Sequence, residues 1–197
     1  MQQHYSILVF LLVIFIIGVI FGAAAIYSLD FNSRQNLFLT LNHFFQGFQE
    51  IEYENPILFN QMTRIYFSSL FFIFLCGIVI IALPLIPVLL FLKAFSLGFT
   101  TAFLLTYFDL KGLLLILLTV IPQNIISIPV YFLACVIAMV FSIKIFNHLR
   151  GRKKLSMVHF ADYFLKIILL AFLLLISVLI EVYLSPFLFS FLLNIFS

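Results

Sequence analysis

Long apolar runs separated by short polar connections dominate this chain. A transmembrane helix needs about 20 consecutive apolar residues to cross the hydrocarbon layer. Runs of about that length cover residues 6–27, 65–83, 88–108, 125–146 and 161–183. The pattern predicts an all-α, polytopic membrane helix bundle with about five transmembrane helices, organised as a single integral membrane domain over residues 1–197. The first run is expected to be an uncleaved anchor, because the first six residues contain no Lys or Arg.

One apolar run is too short to cross. It covers residues 113–121 and is followed by Pro122, Gln123, Asn124 and a second proline, Pro129. About ten helical residues cover only about 15 Å, so this segment is predicted to be re-entrant or broken. Its freed backbone groups are expected to be satisfied by the two amides. The alternative is a substrate or ion site at a broken helix, as in transporters.

Small residues recur at helical spacing in two of the runs. Gly18 and Gly22 form a GxxxG motif, and Ala94, Gly98 and Ala102 recur every fourth residue. Small side chains let helix backbones approach closely in lipid, where the hydrophobic drive between helices is absent. Both stripes are therefore predicted to be helix-packing surfaces. The motif alone leaves open packing within the bundle and packing in a homo-oligomer.

The polar stretch from Ser28 to Arg64 is predicted to be an extracytoplasmic connection. An Asn55-Pro56 pair near its end is a helix-start signal. Before that pair, apolar residues at intervals of four and three predict an amphipathic helix that begins near Ser33 and lies on the membrane surface or against a partner. The predicted partner-binding residues are Leu37, Leu41, Phe44, Phe48, Glu50, Glu52 and Glu54.

The distribution of basic residues predicts the orientation. Residues 147–158 form a basic loop, and short loops rich in Lys and Arg remain cytoplasmic. The N-terminus is then cytoplasmic and the C-terminus extracytoplasmic. Seven basic residues are assigned to the inner side, namely Lys93, Lys144, Arg150, Arg152, Lys153, Lys154 and Lys166, and three to the outer side, namely Arg34, Arg64 and Lys111.

The last run leads to an apolar tail, residues 187–197, that is too short to cross again. This tail is expected to lie in the outer interface or against the bundle. Glu181 lies near the outer end of the run. An intramembrane carboxylate is a functional candidate by default, but near an interface the expected explanation is snorkelling or a hydrogen bond to a neighbour.

Composition agrees with a membrane protein and offers little chemistry. The 197 residues are 65% hydrophobic and 9% charged, with a mean hydropathy of +1.30. Cys76 and Cys135 fall in different runs without a CxxC pattern, and neither a phosphate-binding loop nor an HExxH motif is present. We therefore expect no enzymatic activity, no cofactor and no nucleic-acid partner.

Two proline-containing segments resemble a known family. The first contains Pro84, Pro87, Lys93, Ala94 and Phe99, and the second runs from Ile121 through Pro122, Gln123 and Asn124 to Pro129. Over about residues 65–146 the chain resembles stage II sporulation protein M. The wider family often has His and Glu at the positions of Gln123 and Ser127, and this departure argues against an ionisable site in the second segment. At the position of Ala94 many relatives have glycine, and alanine keeps that side chain small.

The resemblance implies a function in endospore formation. It implies a non-enzymatic membrane scaffold of the engulfment machinery, located in the mother-cell septal or engulfing membrane. Its implied partners are stage II sporulation proteins D and P or similar extracytoplasmic wall hydrolases, which the scaffold would recruit and position for septal wall thinning. The alternative is a membrane subunit of a permease or export system, with Lys93 and the Pro122 segment lining a pathway.

Overall fold

The computed structural model describes residues 2–30, 35–37, 39, 55–151 and 157–184, and no strand occurs among them. Five α-helices make up nearly all of this part of the chain. They are α1 (Gln2–Ser28), α2 (Asn55–Ile78), α3 (Leu85–Leu115), α4 (Ile121–Leu149) and α5 (Met157–Leu179). Short π-helical turns, Ile116–Val120 and Ile180–Leu184, follow α3 and α5, and a 3₁₀ turn, Ile80–Ala82, precedes α3. The predicted all-α class is confirmed.

Four stretches of the described chain are long and apolar enough to cross a membrane. They are Tyr5–Ser28, Phe59–Ile78, Leu85–Leu149 and Met157–Tyr183. The third has 65 residues, which would extend almost 100 Å as one straight helix at 1.5 Å per residue. It must therefore fold back, and it does so at Asp109. The third stretch therefore contains two helical arms, so the described chain has five apolar helical arms, the number of transmembrane helices predicted from the sequence.

Asp109 reverses the chain within α3. Its backbone angles, φ 48° and ψ −125°, are those of the first central residue of a type II′ turn, a position that favours glycine. Residues on the two sides of the turn pack together, since Leu104 shares a buried cluster with Leu115, Ile116 and Val120. In a straight helix Leu104 and Leu115 would be about 16 Å apart. The polar residues predicted to end the third run therefore form a tight hairpin.

The proline segments are accommodated within helices. Pro84 immediately precedes α3 and Pro87 lies in its first turn, where a missing N–H breaks no intrahelical hydrogen bond. Pro122 follows the π-helical turn Ile116–Val120, and Pro129 lies inside α4. The sequence analysis predicted re-entrant or broken backbone before Pro122. The structure corrects this to a continuous helix, because the wider π turn removes the need for a break.

Contacts between helices define two ends of the bundle. On α1, Gly22 follows Gly18, and the residues of α3 that Gly22 contacts also follow those that Gly18 contacts. Helices α1 and α3 are therefore parallel. Helix α2 is parallel to α4, because Tyr66 meets Tyr131 and Gly77 meets Ala138. Helix α5 runs opposite to α2.

We call one end the Asp109 end. It contains the end of α1, the start of α2, the hairpin turn and Leu184. The Arg150 end contains the start of α1, the turn at residues 79–84 and the connection between α4 and α5.

The Asp109 turn generates a stability prediction. Asp109→Gly should raise the stability by about 1 kcal/mol, because glycine adopts positive φ without the steric cost that other residues incur. Thermal unfolding of the purified protein in detergent measures the effect. Leu110→Gly, next to the turn but with helical geometry, should instead lower the melting temperature. A lower melting temperature for Asp109→Gly would contradict the turn geometry.

Candidate functional site

The two small-residue stripes predicted from the sequence face each other across α1 and α3. A Cβ atom added to Gly22 would collide with the backbone oxygen of Phe95, and one added to Gly98 would collide with the backbone oxygen of Val19. At Gly18 an added Cβ would lie 2.8 Å from the Cβ of Ala94. The backbones of α1 and α3 are therefore in contact along two helical turns. The structure uses both stripes for packing within one chain.

The two alanines of the α3 stripe differ in how deeply they are buried. Ala94 is fully buried, whereas Ala102 is only partly buried one turn beyond Gly98. The Thr101 hydroxyl donates to the backbone oxygen of Leu97 at 2.9 Å, so this polar group is satisfied within its own helix. Phe99 stacks between Phe95 and Phe103 along α3. An aromatic ladder thus flanks the glycine contact.

A second constellation lies inside the bundle around Lys93. The lysine ammonium lies 5.1 Å from the ring centroid of Tyr66 and 4.9 Å from that of Tyr131, so two aromatic faces cover one cation. Such cation–π contacts become stronger when the cation is removed from water. The two rings stack at 6.1 Å, and the Tyr131 hydroxyl donates to the backbone oxygen of Tyr66 at 3.0 Å. Tyr131 therefore fixes the position of α2 against α4.

Glu181 supplies the opposite charge. It lies in the π-helical turn Ile180–Leu184, and its carboxylate interacts with the Tyr66 hydroxyl and, electrostatically, with Lys93. Its Oε2 atom is buried without a hydrogen-bond partner. We call Lys93, Tyr66, Tyr131 and Glu181 the interior charge cluster. It connects α2, α3, α4 and the end of α5.

The proline segment of α4 lies beside this cluster and is satisfied by local hydrogen bonds. The Asn124 amide donates to the backbone oxygen of Val120 at 2.7 Å and accepts from the Ser127 hydroxyl at 3.2 Å. Ser177 of α5 donates to the backbone oxygen of Gln123 at 2.9 Å. Ser127 and Ser177 are fully buried. The polar groups around Pro122 therefore tie α4 to itself and to α5.

The structure adds contacts for two charged residues. Lys93, which the sequence assigns to the cytoplasmic side with the basic loop, has its ammonium over two tyrosine rings. Its side of the membrane stays a prediction. Glu181 was expected to snorkel or to bond to a neighbour, and it meets the neighbour Tyr66 inside the bundle. Tyr66 and Tyr131 were not singled out from the sequence. An unpaired lysine in an apolar run was the available signal that aromatic or acidic partners were needed.

The predicted partner-binding residues lie mostly outside the described part of the chain. Leu37 is described, and it is helical and exposed. Those outside the described residues are Leu41, Phe44, Phe48, Glu50, Glu52 and Glu54. The tail after Leu184 is outside them too. The structure shows where these segments leave the bundle, which is the Asp109 end in both cases.

Other chemistry is sparse in the described chain. No group of three or more His, Cys, Asp or Glu residues suited to hold a metal ion occurs among the described residues. Cys76 and Cys135 are both free and buried. An exposed ion pair joins Lys166 to Asp162 at 2.7 Å near the start of α5. Exposed pairs of this kind contribute little to stability.

These features define a polytopic membrane helix bundle with an interior charge cluster and a close contact between two helices. The family model for stage II sporulation protein M matches residues 11–186. The chain therefore belongs to the stage II sporulation protein M family, and it is a sporulation membrane protein. Comparison with curated proteins and with solved structures found no match.

The contact between α1 and α3 predicts a strong effect of substitution at Gly98. Gly98→Leu should destabilise the bundle by about 3 kcal/mol or more, since the atoms in the way belong to the backbone of α1 and cannot rotate aside. Thermal unfolding in detergent measures the effect, and Ser96→Leu, at an exposed position of the same helix, is the matched control. Equal melting temperatures for the two variants would show that the contact is unimportant.

Proposed function

We propose that this protein is a non-enzymatic scaffold that recruits and positions peptidoglycan hydrolases at the outer surface of the membrane during engulfment. Its proposed partners are stage II sporulation proteins D and P or similar extracytoplasmic hydrolases. Family membership supports the sporulation context. One observation carries the proposal further: residues 31–54 and the tail after Leu184 both leave the bundle at the Asp109 end.

The charge distribution supports assigning the Asp109 end to the outside. With Lys93 left out because it lies inside the bundle, the sequence assigns three basic residues to the Asp109 end and six to the Arg150 end. The three are Arg34, Arg64 and Lys111, and the six are Lys144, Arg150, Arg152, Lys153, Lys154 and Lys166. An excess of basic residues favours a cytoplasmic location for the Arg150 end. The acidic residues Glu50, Glu52 and Glu54 then lie outside, next to the amphipathic segment. Hydrolases act on the wall on that same side.

The packing of the bundle supports a scaffold over a permease subunit. A transport pathway requires polar groups that can face a wet cavity. Around Pro122 the amide of Asn124 and the backbone oxygen of Gln123 are instead engaged by groups of α4 and α5. Further along α4, Ala134, Cys135 and Ala138 are fully buried against neighbouring helices. Rigid helices with closed contacts suit the display of outer segments.

The apolar face of the segment 31–54 should carry the recruitment. Replacing Phe44 and Phe48 with Ser is expected to leave abundance and membrane insertion unchanged and to abolish septal hydrolase foci, because the contact surface loses its aromatic anchors. Fluorescent hydrolase in sporulating cells measures this. Gln46→Ser together with Gln49→Ser, on the polar face, should retain the foci. Normal foci in the Phe44/Phe48 variant at wild-type abundance would refute this assignment.

The acidic residues should affect the rate of encounter more than the affinity. Replacing Glu50, Glu52 and Glu54 with Gln should slow association with a basic hydrolase at low ionic strength, with little change in the dissociation rate. The difference should shrink greatly at about 1 M salt, where the Debye length is about 3 Å. Surface plasmon resonance with immobilised protein in nanodiscs measures both rates. An association rate equal to that of the wild type at low salt would count against a steering role.

A further inference from the structure

The interior charge cluster places two charged side chains within the apolar helices, where exposure to lipid would be unfavourable. Lys93 lies eight residues after the start of α3, about 12 Å along the helix axis from its beginning. Glu181 lies on a different helix and comes from the opposite end of the bundle. Charged side chains within membrane spans are costly unless they are paired inside the bundle. Each residue therefore needs a compensating partner.

Tyr66 lies between the two charges and contacts both. Its ring face receives the Lys93 ammonium at 5.1 Å from the centroid, and its hydroxyl interacts with the Glu181 carboxylate. Lys93 and Glu181 interact electrostatically without the contact distance of a direct ion pair. One side chain thus serves as the link, with its aromatic face toward the cation and its hydroxyl toward the anion.

We propose that Lys93, Tyr66 and Glu181 act as one electrically neutral ionic lock that holds the turn after α5 against the middle of α2 and the first half of α3. The three residues come from α2, α3 and the π turn after α5, so the lock spans three elements of the bundle. Tyr131 supports it from α4 by covering the other side of the ammonium and by bonding to the backbone of Tyr66. This inference is independent of hydrolase binding.

The hydrogen bonding of Glu181 explains why the lock should be sensitive to loss of one member. Its Oε2 atom is already buried without a donor. The negative charge of the carboxylate therefore depends on Tyr66 and Lys93 for its stabilisation. Removing the lysine leaves an under-compensated buried anion, whereas removing both charges leaves none.

A double-mutant cycle tests the coupling. Lys93→Met and Glu181→Gln should each lower the melting temperature of the purified protein by about 10 °C, whereas the double variant should recover at least half of that loss. The surface pair provides the matched control: Lys166→Met and Asp162→Asn should each change the melting temperature by about 2 °C or less. Additive losses in the Lys93/Glu181 cycle would overturn the lock.

Variants of the two tyrosines distinguish a link through the Tyr66 hydroxyl from simple packing of its ring. Tyr66→Phe keeps the ring under the ammonium but removes the hydroxyl, so it should reduce the coupling between Lys93 and Glu181 by at least half. Tyr131→Phe removes a hydroxyl of the same type, which donates to the backbone oxygen of Tyr66. It should lower the melting temperature while leaving the coupling intact. Equal coupling in both backgrounds would exclude Tyr66 as the link.

A distance measurement tests what the lock holds. Spin labels at Gln61 and Tyr183, exposed positions on α2 and after α5, report the separation of the two helices in a background without Cys76 and Cys135. The distance distribution should be narrow in the parent, broad in Glu181→Gln, and narrow again when Lys93→Met is added. An unchanged distribution in Glu181→Gln would show that the cluster does not hold α2 against the turn after α5.

Discussion

Close contact between the backbones of α1 and α3 is the constraint on which the rest of the bundle depends. Helices in lipid gain little from burying apolar surface against each other, so association rests on packing and on polar contacts. Gly18, Gly22 and Gly98 allow the approach because they have no Cβ atom to keep the helices apart. The first half of α3 is thereby held along α1. The Asp109 hairpin then directs the chain back along α3 and into α4.

Polar contacts hold the remaining helices of the bundle together. The second group of helices, α2, α4 and α5, meets α3 through the interior charge cluster, and the hydrogen bonds of Tyr131 and Ser177 join its members to each other. Tyr163 adds a bond from its hydroxyl to the backbone oxygen of Phe74 at 2.9 Å, near the Arg150 end. Each bond joins residues that are at least 54 positions apart in sequence. Together they specify which helices are neighbours, which apolar surface alone does not determine in a membrane.

Much of the fold can be predicted from the sequence, because run length and composition are sufficient to identify membrane-spanning helices. Spacing also marked Gly18, Gly22 and Gly98 as packing residues, but spacing cannot reveal that the two stripes contact each other. That pairing depends on helix directions set by distant turns. The reversal at Asp109 appeared in sequence only as a polar interruption, since nothing in the residue type specifies a positive φ.

The interior of the bundle was harder to predict for a related reason. The orientation of Lys93 depends on the rotation of α3, and one buried helix has apolar residues on every side, so its periodicity carries little information. Tyr66 and Tyr131 resemble ordinary aromatic residues until the fold brings them together. The π turn before Pro122 was likewise hidden, because a proline signals only that the α-helical hydrogen bonding must change.

The central claim is that the amphipathic segment and the C-terminal tail are presented together on the outer side of the membrane. Single cysteines at Leu110, Tyr183 and Arg150, in a background without Cys76 and Cys135, test it most directly through labelling with a membrane-impermeant maleimide. In intact cells, we expect labelling at Leu110 and Tyr183, and labelling at Arg150 only after permeabilisation. Labelling of Arg150 in intact cells, with Leu110 and Tyr183 protected, would contradict the claim.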